Sequence, residues 1–547
     1  MVASRWFDRG WLLLWGVISS IWCITAAGQL SATFDEPHYL KCGLHSWRTG
    51  SYHPLLRAGT MPLPSDVQLL PAWAIEQFRD RPFNLNEDFG TVLAIARAGN
   101  LVFWWLLLYF TWRLAIRFGG PWAGRLAVPF VACDPNFLAH AALATTDIAV
   151  SACLLMFTEF YMAGRNGNWK QRVLLPAICF ALAVLAKASA LAFGVIIMGM
   201  IELHRLYLMG DWRQLWSATR LFRREAIQVV GLGLLATFIY CGCDWRIDRG
   251  LLTSAEKLPP GAGRVAAIAV VEHLPLFPNA AQGLIYQIQH NFRGHGAYVA
   301  GEWHHRAVWY YFPLVLSMKL TVPILLLMAL TLVVRPRGYA HVLGLTVAAL
   351  LLFTLNCRVQ IGVRLVLPVL SLLLICLAVA VMRTVPVAKR RIALPAICAV
   401  LMVPMLGIWP HGLCYFNPLW GGPETGYRHL SDSNYDWGQG VAELDRWRDE
   451  RADAPVKVWY YGADPRMLAR TESLPLHNLE VKDEQHLRQQ MGPCYLAVGT
   501  TILHSNPAPT EAGRRMIDLL KSKHPVARTM TFFIYDFTEP TRLAANP

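Results

Sequence analysis

The sequence predicts an α-helical polytopic membrane protein of about eleven transmembrane helices, followed by a small α/β domain on the outer face. Three observations predict it. Of 547 residues, 55% are hydrophobic and 16% charged, with a mean hydropathy of +0.34, whereas a soluble domain has about 45–50% apolar and about 25% charged residues. Apolar runs that approach the length needed to cross a bilayer, about 20 residues, recur from residue 11 to residue 409. Beyond about residue 410 the chain becomes charged and is punctuated by Gly and Pro.

The runs lie near 11–30, 92–112, 121–139, 142–162, 173–186, 190–207, 226–243, 309–333, 340–357, 364–382 and 392–409. Arg5 and Arg9 precede the first run as in a secretory signal, but its apolar stretch is long for one and reads as an uncleaved helix. Short connections carrying Arg113, Arg117, Arg165, Lys170, Arg172, Arg223, Arg224, Arg335, Arg337, Arg383, Arg390 and Arg391 alternate with long segments at about 31–91, 244–307 and after 410. Lys and Arg accumulate on the cytoplasmic side, so the N-terminus is expected inside and the C-terminus outside. Residues 1–410 form the expected transmembrane domain and 411–547 the outer domain. In the latter, 456–461, 495–498 and 531–535 read as strands. Residues 511–523 read as an amphipathic helix with Met516, Leu519 and Leu520 on one side.

The same reading excludes several functions. The composition does not fit a disordered chain or an ordinary cytosolic enzyme. The net charge of +14 is explained by cytoplasmic loops, and no basic stripe with a nucleic-acid motif accompanies it, so no nucleic acid is expected as a partner. Most of the twelve cysteines lie in apolar runs. The pair Cys241 and Cys243 is too close for zinc-ligand spacing, so no metal centre is expected. Disulfides among Cys42, Cys357, Cys414 and Cys494 have no pairing that the sequence can assign. There is no nucleotide-binding loop.

Ionisable residues collect at one membrane boundary. Asp35 and Glu36 follow the first span, Asp134 and His140 lie between the third and fourth, and Asp147 lies one turn into the fourth. Lys187 sits between the fifth and sixth, Glu302 ends an outer loop, Lys319 lies within the eighth, and Arg358 and Arg364 flank the start of the tenth. Singly, each has an ordinary explanation as a helix-end charge or a side chain reaching for the headgroups. Together, carboxylates and cations on one face make a cavity suited to an anionic headgroup beside a base. The chemistry that fits is transfer from a lipid-linked phosphate. The leaving phosphate needs Arg or Lys, and the acceptor hydroxyl or amine needs a carboxylate.

The ordered motifs resemble those of lipid-carrier-dependent glycosyltransferases of the GT-C class, among them the protein O-mannosyltransferases and the aminoarabinose transferases of lipid A. Phe34, Asp35, Glu36, Pro37 and His38, with Gly43 and Gly50, resemble the family's first outer loop. Asp134 to His140 and Thr145, Thr146 and Asp147 resemble its second. Lys187 and Ser189 match L-x-K-x-S; Tyr298, Gly301, Glu302, Tyr310 to Pro313 and Lys319 match Y-x-x-G-E, Y-Y-F-P and K. Gly362, Val363, Arg364 and Pro368 match G-V-R-x-x-L-P, and Ser433 to Gln439 match S-N-x-D-W-G-Q. The resemblance spans roughly residues 11–445 in order. It departs at His53, where one Pro replaces the usual two, and at Leu365, where a His is common.

The resemblance implies an inverting glycosyltransferase in the bacterial cytoplasmic membrane. Its donor is a sugar on a polyprenyl or dolichyl phosphate, taken from the outer leaflet. The acceptor is a protein, lipid or glycan, and no cofactor is expected. Asp35 is expected as the general base and Glu36 as orienting the acceptor or the loop backbone. Asp147 is expected as an acceptor-side or supporting carboxylate, and Arg364, with Lys187 or Lys319, as the phosphate holder. His53, His140, Glu302, Arg358, Asn434 and Asp436 are further site candidates. A secondary transporter fits less well, since its charges usually lie at the midplane within inverted repeats. An assembly protein working through its tail leaves the ordered polar motifs unexplained.

Overall fold

The computed structural model describes residues 2–209, 212–242, 247, 249–273, 278–451, 453–474, 483–505 and 510–538. Cys243 and the first residues of the expected 244–307 loop lie outside them. Helix α1 (Val2–Ala27) is the first predicted span. The segment expected as an outer loop is itself helical, with α2 (Glu36–Thr49), α3 (His53–Arg57) and α4 (Leu63–Glu76). Each has a proline in its first turn, where the missing N–H costs nothing. Gly50 closes α2 with a left-handed φ of 71°.

Helix α5 (Phe89–Ala132) covers two predicted spans, 92–112 and 121–139, and breaks between them at Gly120 (φ 74°, ψ −173°), before Pro121. Then come α6 (Pro135–Ala141), α7 (Asp147–Gly164), α8 (Leu175–Ala186), α9 (Ala190–Met209) and α10 (Trp212–Tyr240). The second segment expected as an outer loop holds α11 (Arg249–Glu256), α12 (Ala262–His273), α13 (Pro278–Arg293) and an antiparallel pair, β1 (Ala297–Val299) and β2 (Glu302–His304). Helices α14 (Tyr311–Lys319) and α15 (Val322–Val334) meet at 114°. Pro323 at the start of α15 prevents continuation. The bundle ends with α16 (Val342–Thr354), α17 (Leu367–Thr384) and α18 (Arg390–Gly407).

Helices thus occupy all eleven predicted intervals, but fewer of them are by themselves long and apolar enough for a span. Among the described residues, six helices are long and apolar enough to cross a membrane, or seven if the bent α14–α15 pair is one span. The difference has three causes. Helix α5 joins two predicted spans, α8 and α16 are only 12 and 13 residues long, and α10, though 29 residues long, carries too many charged residues along its length to qualify. Helix α17 is apolar on every face and packs against α5 and α7. The Val363–Thr384 segment has 89% of its apolar window buried, against 22% for Val387–Gly407, so α17 is the centre and α18 the rim.

The tail contains α19 (Val441–Arg451), α20 (Pro465–Leu468), α21 (Glu484–Met491), α22 (Thr500–His504) and α23 (Glu511–Ser522). Its four strands are β3 (Val456–Trp459), β4 (Tyr495–Gly499), β5 (Ala527–Arg528) and β6 (Phe532–Asp536), in the order β3-β4-β6-β5. Pair β3–β4 is parallel and the others antiparallel. Met516, Ile517 and Leu520 of α23 are buried, with Leu519 partly so. One face of the sheet shares its apolar core with the helical bundle, through Leu496, Val498, Phe533 and Tyr535. Cys42, Cys357, Cys414 and Cys494 are all free.

Candidate active site

The site is built on residues 31–36. Ser31 N donates to Gln439 O at 3.0 Å and Phe34 N to Trp437 O at 2.9 Å, so the end of the S-N-x-D-W-G-Q motif runs alongside the first loop. Ala32 N donates to Asp464 Oδ2 at 3.1 Å. The buried Arg97 then fixes the turn. It donates to the carbonyls of Ala27, Leu30 and Ser31 and forks onto both oxygens of Glu36, every contact at 2.8 Å. Thr33 N and Ala144 N complete the carboxylate's shell. Burial works to raise the Glu36 carboxyl, but Arg97 and these N–H groups outweigh it and hold it below its ordinary value. Glu36 is completely buried and its oxygens are taken, so of the two roles expected for it, orienting the loop backbone is the one the geometry allows.

Asp35 lies at the N-terminus of α2 but makes no side-chain cap. Its Oδ2 accepts instead from Arg364 Nη1 at 2.9 Å and from the hydroxyl of Tyr39 at 3.3 Å. Arg364 is presented by a tight turn before α17. Gly362 has φ 146°, and a Cβ there would lie 2.1 Å from Ser433 Oγ, so the turn needs glycine. Ser433 Oγ donates to Ile361 O, and Asn434 Oδ1 accepts from Val363 N at 2.9 Å. The guanidinium lies over the Trp437 ring, 4.1 Å from its centroid. One motif therefore holds both the acid-bearing loop and the cation-bearing turn.

Asp35 and Arg364 line a cavity of about 540 Å³. Lys187 lines it too, with Nζ donating to Asp147 Oδ1 at 2.6 Å. Asp147 is fully buried behind Lys187 and positions it. Sequence reasoning gave no role to four other lining residues: His38 and Tyr39, three and four positions after Asp35, and Tyr286 and His290 on α13. The i, i+4 spacing of Asp35 and Tyr39 on a helix was the available signal. Burial lowers the His38 imidazole below its ordinary value, against the opposing pull of Asp35. The cavity therefore combines a partly exposed carboxylate, two cations and a neutral-leaning imidazole at the edge of the bundle.

Other expected site residues stand elsewhere. Lys319 is corrected most plainly. It is fully buried, and its ammonium donates to the carbonyls of Leu413, Tyr415 and Asn434 at 2.8, 2.7 and 2.8 Å. All three N–H bonds are used to join α14 to the tail, and none reaches the cavity. Lys319→Met orphans three buried acceptors, each costing about 1–3 kcal/mol before relaxation. It is expected to lower the thermal unfolding temperature while leaving lipid-phosphate affinity unchanged. A tenfold loss of affinity with unaltered unfolding would return Lys319 to the phosphate site.

His140 is buried against the edge of the Trp437 ring, 6.4 Å between centroids, and does not line the cavity. Arg358 is exposed, donates to Phe292 O at 3.2 Å and takes no part in the cavity wall. Glu302 is exposed on β2, and His53 starts α3 outside the lining. Asn434 positions the Arg364 turn and bonds Tyr311 Oη at 3.1 Å. Asp436 clasps the tail, accepting from Thr501 N at 3.1 Å and Thr500 Oγ1 at 3.2 Å, and burial pushes its carboxyl up to about 6. None of these six lines the cavity, since sequence adjacency to a motif does not fix which way a side chain faces.

No family model matches the chain, and no curated protein matches it. Among solved structures, the chain is similar to ArnT from Cupriavidus metallidurans bound to undecaprenyl phosphate, at 13% identity and a TM-score of 0.46, over 96% of this chain and 98% of that one. It is also similar to the Archaeoglobus fulgidus oligosaccharyltransferase in the apo form, at 12% identity and a TM-score of 0.43, over 91% of this chain and 70% of that one.

Proposed function

We propose that the chain is a multi-pass membrane glycosyltransferase that moves a sugar from a polyprenyl-phosphate-linked donor to an acceptor hydroxyl or amine on the outer face of a bacterial cytoplasmic membrane. The observation that carries this reading is the meeting of Asp35 and Arg364 at 2.9 Å on the wall of a 540 Å³ cavity that Lys187 also lines. A carboxylate and two cations are the complement of a reaction that releases a proton at one atom and a phosphate at another. The apolar helices beside them suit a lipid carrier.

In this reading the acceptor O–H or N–H gives its proton to Asp35. Its lone pair forms a bond to the anomeric carbon from the face opposite the phosphate, so configuration inverts. The bond from that carbon to the phosphate oxygen breaks, and the electron pair leaves on the lipid phosphate, held by Arg364 and Lys187. Glu36 and Asp147 act through other groups, the first by fixing the loop and the second by aiming Lys187. The Lys and Arg distribution favours an inside N-terminus and an outside C-terminus, which puts this cavity at the outer leaflet.

The test is a transfer assay on purified protein with a panel of undecaprenyl-phosphate-linked hexoses and pentoses and membrane extract as acceptor, read by mass spectrometry. Release of undecaprenyl phosphate with a matching mass gain on an acceptor is expected for at least one donor. Binding of the carrier without any such release would reject the reading.

A further inference from the structure

A second cavity, of about 160 Å³, abuts the first and shares Ile361 with it. The stacked rings of Phe34 and Tyr461, 5.6 Å between centroids, stand between them: Phe34 lines the larger cavity and Tyr461 the smaller. Tyr298, Trp303 and Tyr311 add aromatic walls, and Asp432 adds a carboxylate. The volume is that of one small ring, since an engineered cavity of about 150 Å³ takes up benzene.

Two polar features of this cavity suit a ligand. The indole N–H of Trp303 is buried with no hydrogen-bond partner among the described residues, which costs stability unless something else accepts it. Its ring packs against Gly296, where a Cβ would come within 2.4 Å of it. Asp432 holds a left-handed backbone, φ 54°, unusual for a residue other than glycine and kept only where the surroundings enforce it. Its carboxylate accepts from the hydroxyl of Tyr461 at 2.9 Å and from Ser433 N and lines the cavity, and the oxygens keep further lone pairs.

We infer that this second cavity receives a single sugar ring, an inference that rests on the glycosyltransferase reading of the neighbouring site. A sugar presents C–H faces that pack on flat aromatic rings. Its hydroxyls are both donors and acceptors, so one ring gives Trp303 Nε1–H an acceptor and Asp432 its donors. A phosphate is repelled by Asp432. A lipid chain leaves the Trp303 N–H unpaired and covers the Asp432 carboxylate with carbon, and a bare ammonium ion offers Trp303 nothing. Sugar chemistry satisfies all the walls at once, and the ring belongs either to the lipid-linked donor or to a glycosidic acceptor.

The probes are methyl mannopyranoside, methyl glucopyranoside and methyl arabinopyranoside, with undecaprenyl phosphate measured in parallel. Binding to the purified full chain is read by saturation-transfer NMR. At least one glycoside is expected to bind. Asp432→Asn, which suits the left-handed backbone, and Trp303→Phe, which keeps the ring and removes the N–H, are each expected to weaken it by about tenfold or more. Undecaprenyl phosphate binding stays unchanged in Trp303→Phe and is unchanged or tighter in Asp432→Asn, which removes an anion that interacts with Arg364. Displacement of the glycoside by its undecaprenyl-phosphate-linked form, but not by undecaprenyl phosphate, assigns the ring to the donor; simultaneous binding assigns it to the acceptor. No glycoside binding, or equal binding in wild type and both variants, overturns the inference. Loss of undecaprenyl phosphate binding in the wild type counts instead against the glycosyltransferase reading, and the glycoside result still decides the cavity.

Discussion

Replacing Asp35 by Asn is expected to lower sugar transfer by about 10²–10⁴-fold, the usual range for removing a general base, while the protein binds the lipid carrier as well as or better than the wild type. The two halves of this expectation have separate causes. Asn keeps the shape of the side chain and its place at the start of α2, where the residue makes no cap bond that could be lost. It removes the proton acceptor, so chemistry slows. It also removes the anion that Arg364 contacts at 2.9 Å, and a guanidinium released from its partner meets a lipid phosphate more readily. Tyr39, whose hydroxyl donates to the same oxygen at 3.3 Å, retains an acceptor in the Asn carbonyl, so the local fold survives. The measurement is single-turnover transfer by purified variant, beside carrier affinity on the same preparation. Full turnover would reduce Asp35 to a helix-end charge held by Arg364.

The residues that carry this site were legible for a simple reason. A charged side chain at the edge of an apolar run has few explanations, and Asp35, Lys187 and Arg364 stand at such edges in one ordered set of motifs. The same logic misjudged Lys319, because its carbonyl cage comes from Leu413, Tyr415 and Asn434, about a hundred positions away. Nothing near Lys319 in sequence announces a cage. Arg97 was missed for the converse reason. It sits inside the predicted span 92–112, where hydropathy alone gives it no role, yet it is the centre of the first loop's hydrogen bonds. The helical intervals were readable from hydropathy, but hydropathy has no term for the Gly120 break within α5 or for short helices such as α8 and α16. Those are decided by packing around α17. The cavity wall supplied by α13 was read only as outer loop, since its polar sequence of moderate length gives no sign of what it covers.

Arg364→Ala is expected to weaken binding of undecaprenyl phosphate by about 10–150-fold, the equivalent of a charge-assisted hydrogen bond worth roughly 1.5–3 kcal/mol. The side chain is 8% exposed and its Nε is buried with no partner among the described residues, so the fork retains donors beyond the one given to Asp35. The Trp437 ring 4.1 Å beneath it keeps the plane in place, which spares the entropy of ordering a long side chain on binding. Arg364→Lys keeps the charge but loses the fork and the stacking, so it is expected to recover only part of the affinity. Two controls separate charge transfer from general damage. Lys187→Met is expected to weaken binding less, because Lys187 is already engaged by Asp147 at 2.6 Å. In Asp35→Asn/Arg364→Ala the two affinity changes are not expected to add, since the residues contact each other: with Arg364 gone, neutralising Asp35 frees no guanidinium and merely relieves its repulsion of the phosphate. Isothermal or fluorescence binding of undecaprenyl phosphate to these four variants and to Asp35→Asn measures this directly. Unchanged affinity in Arg364→Ala, with Lys187→Met losing binding instead, would move the phosphate across the cavity to Lys187 and leave Arg364 as the partner that tunes the base.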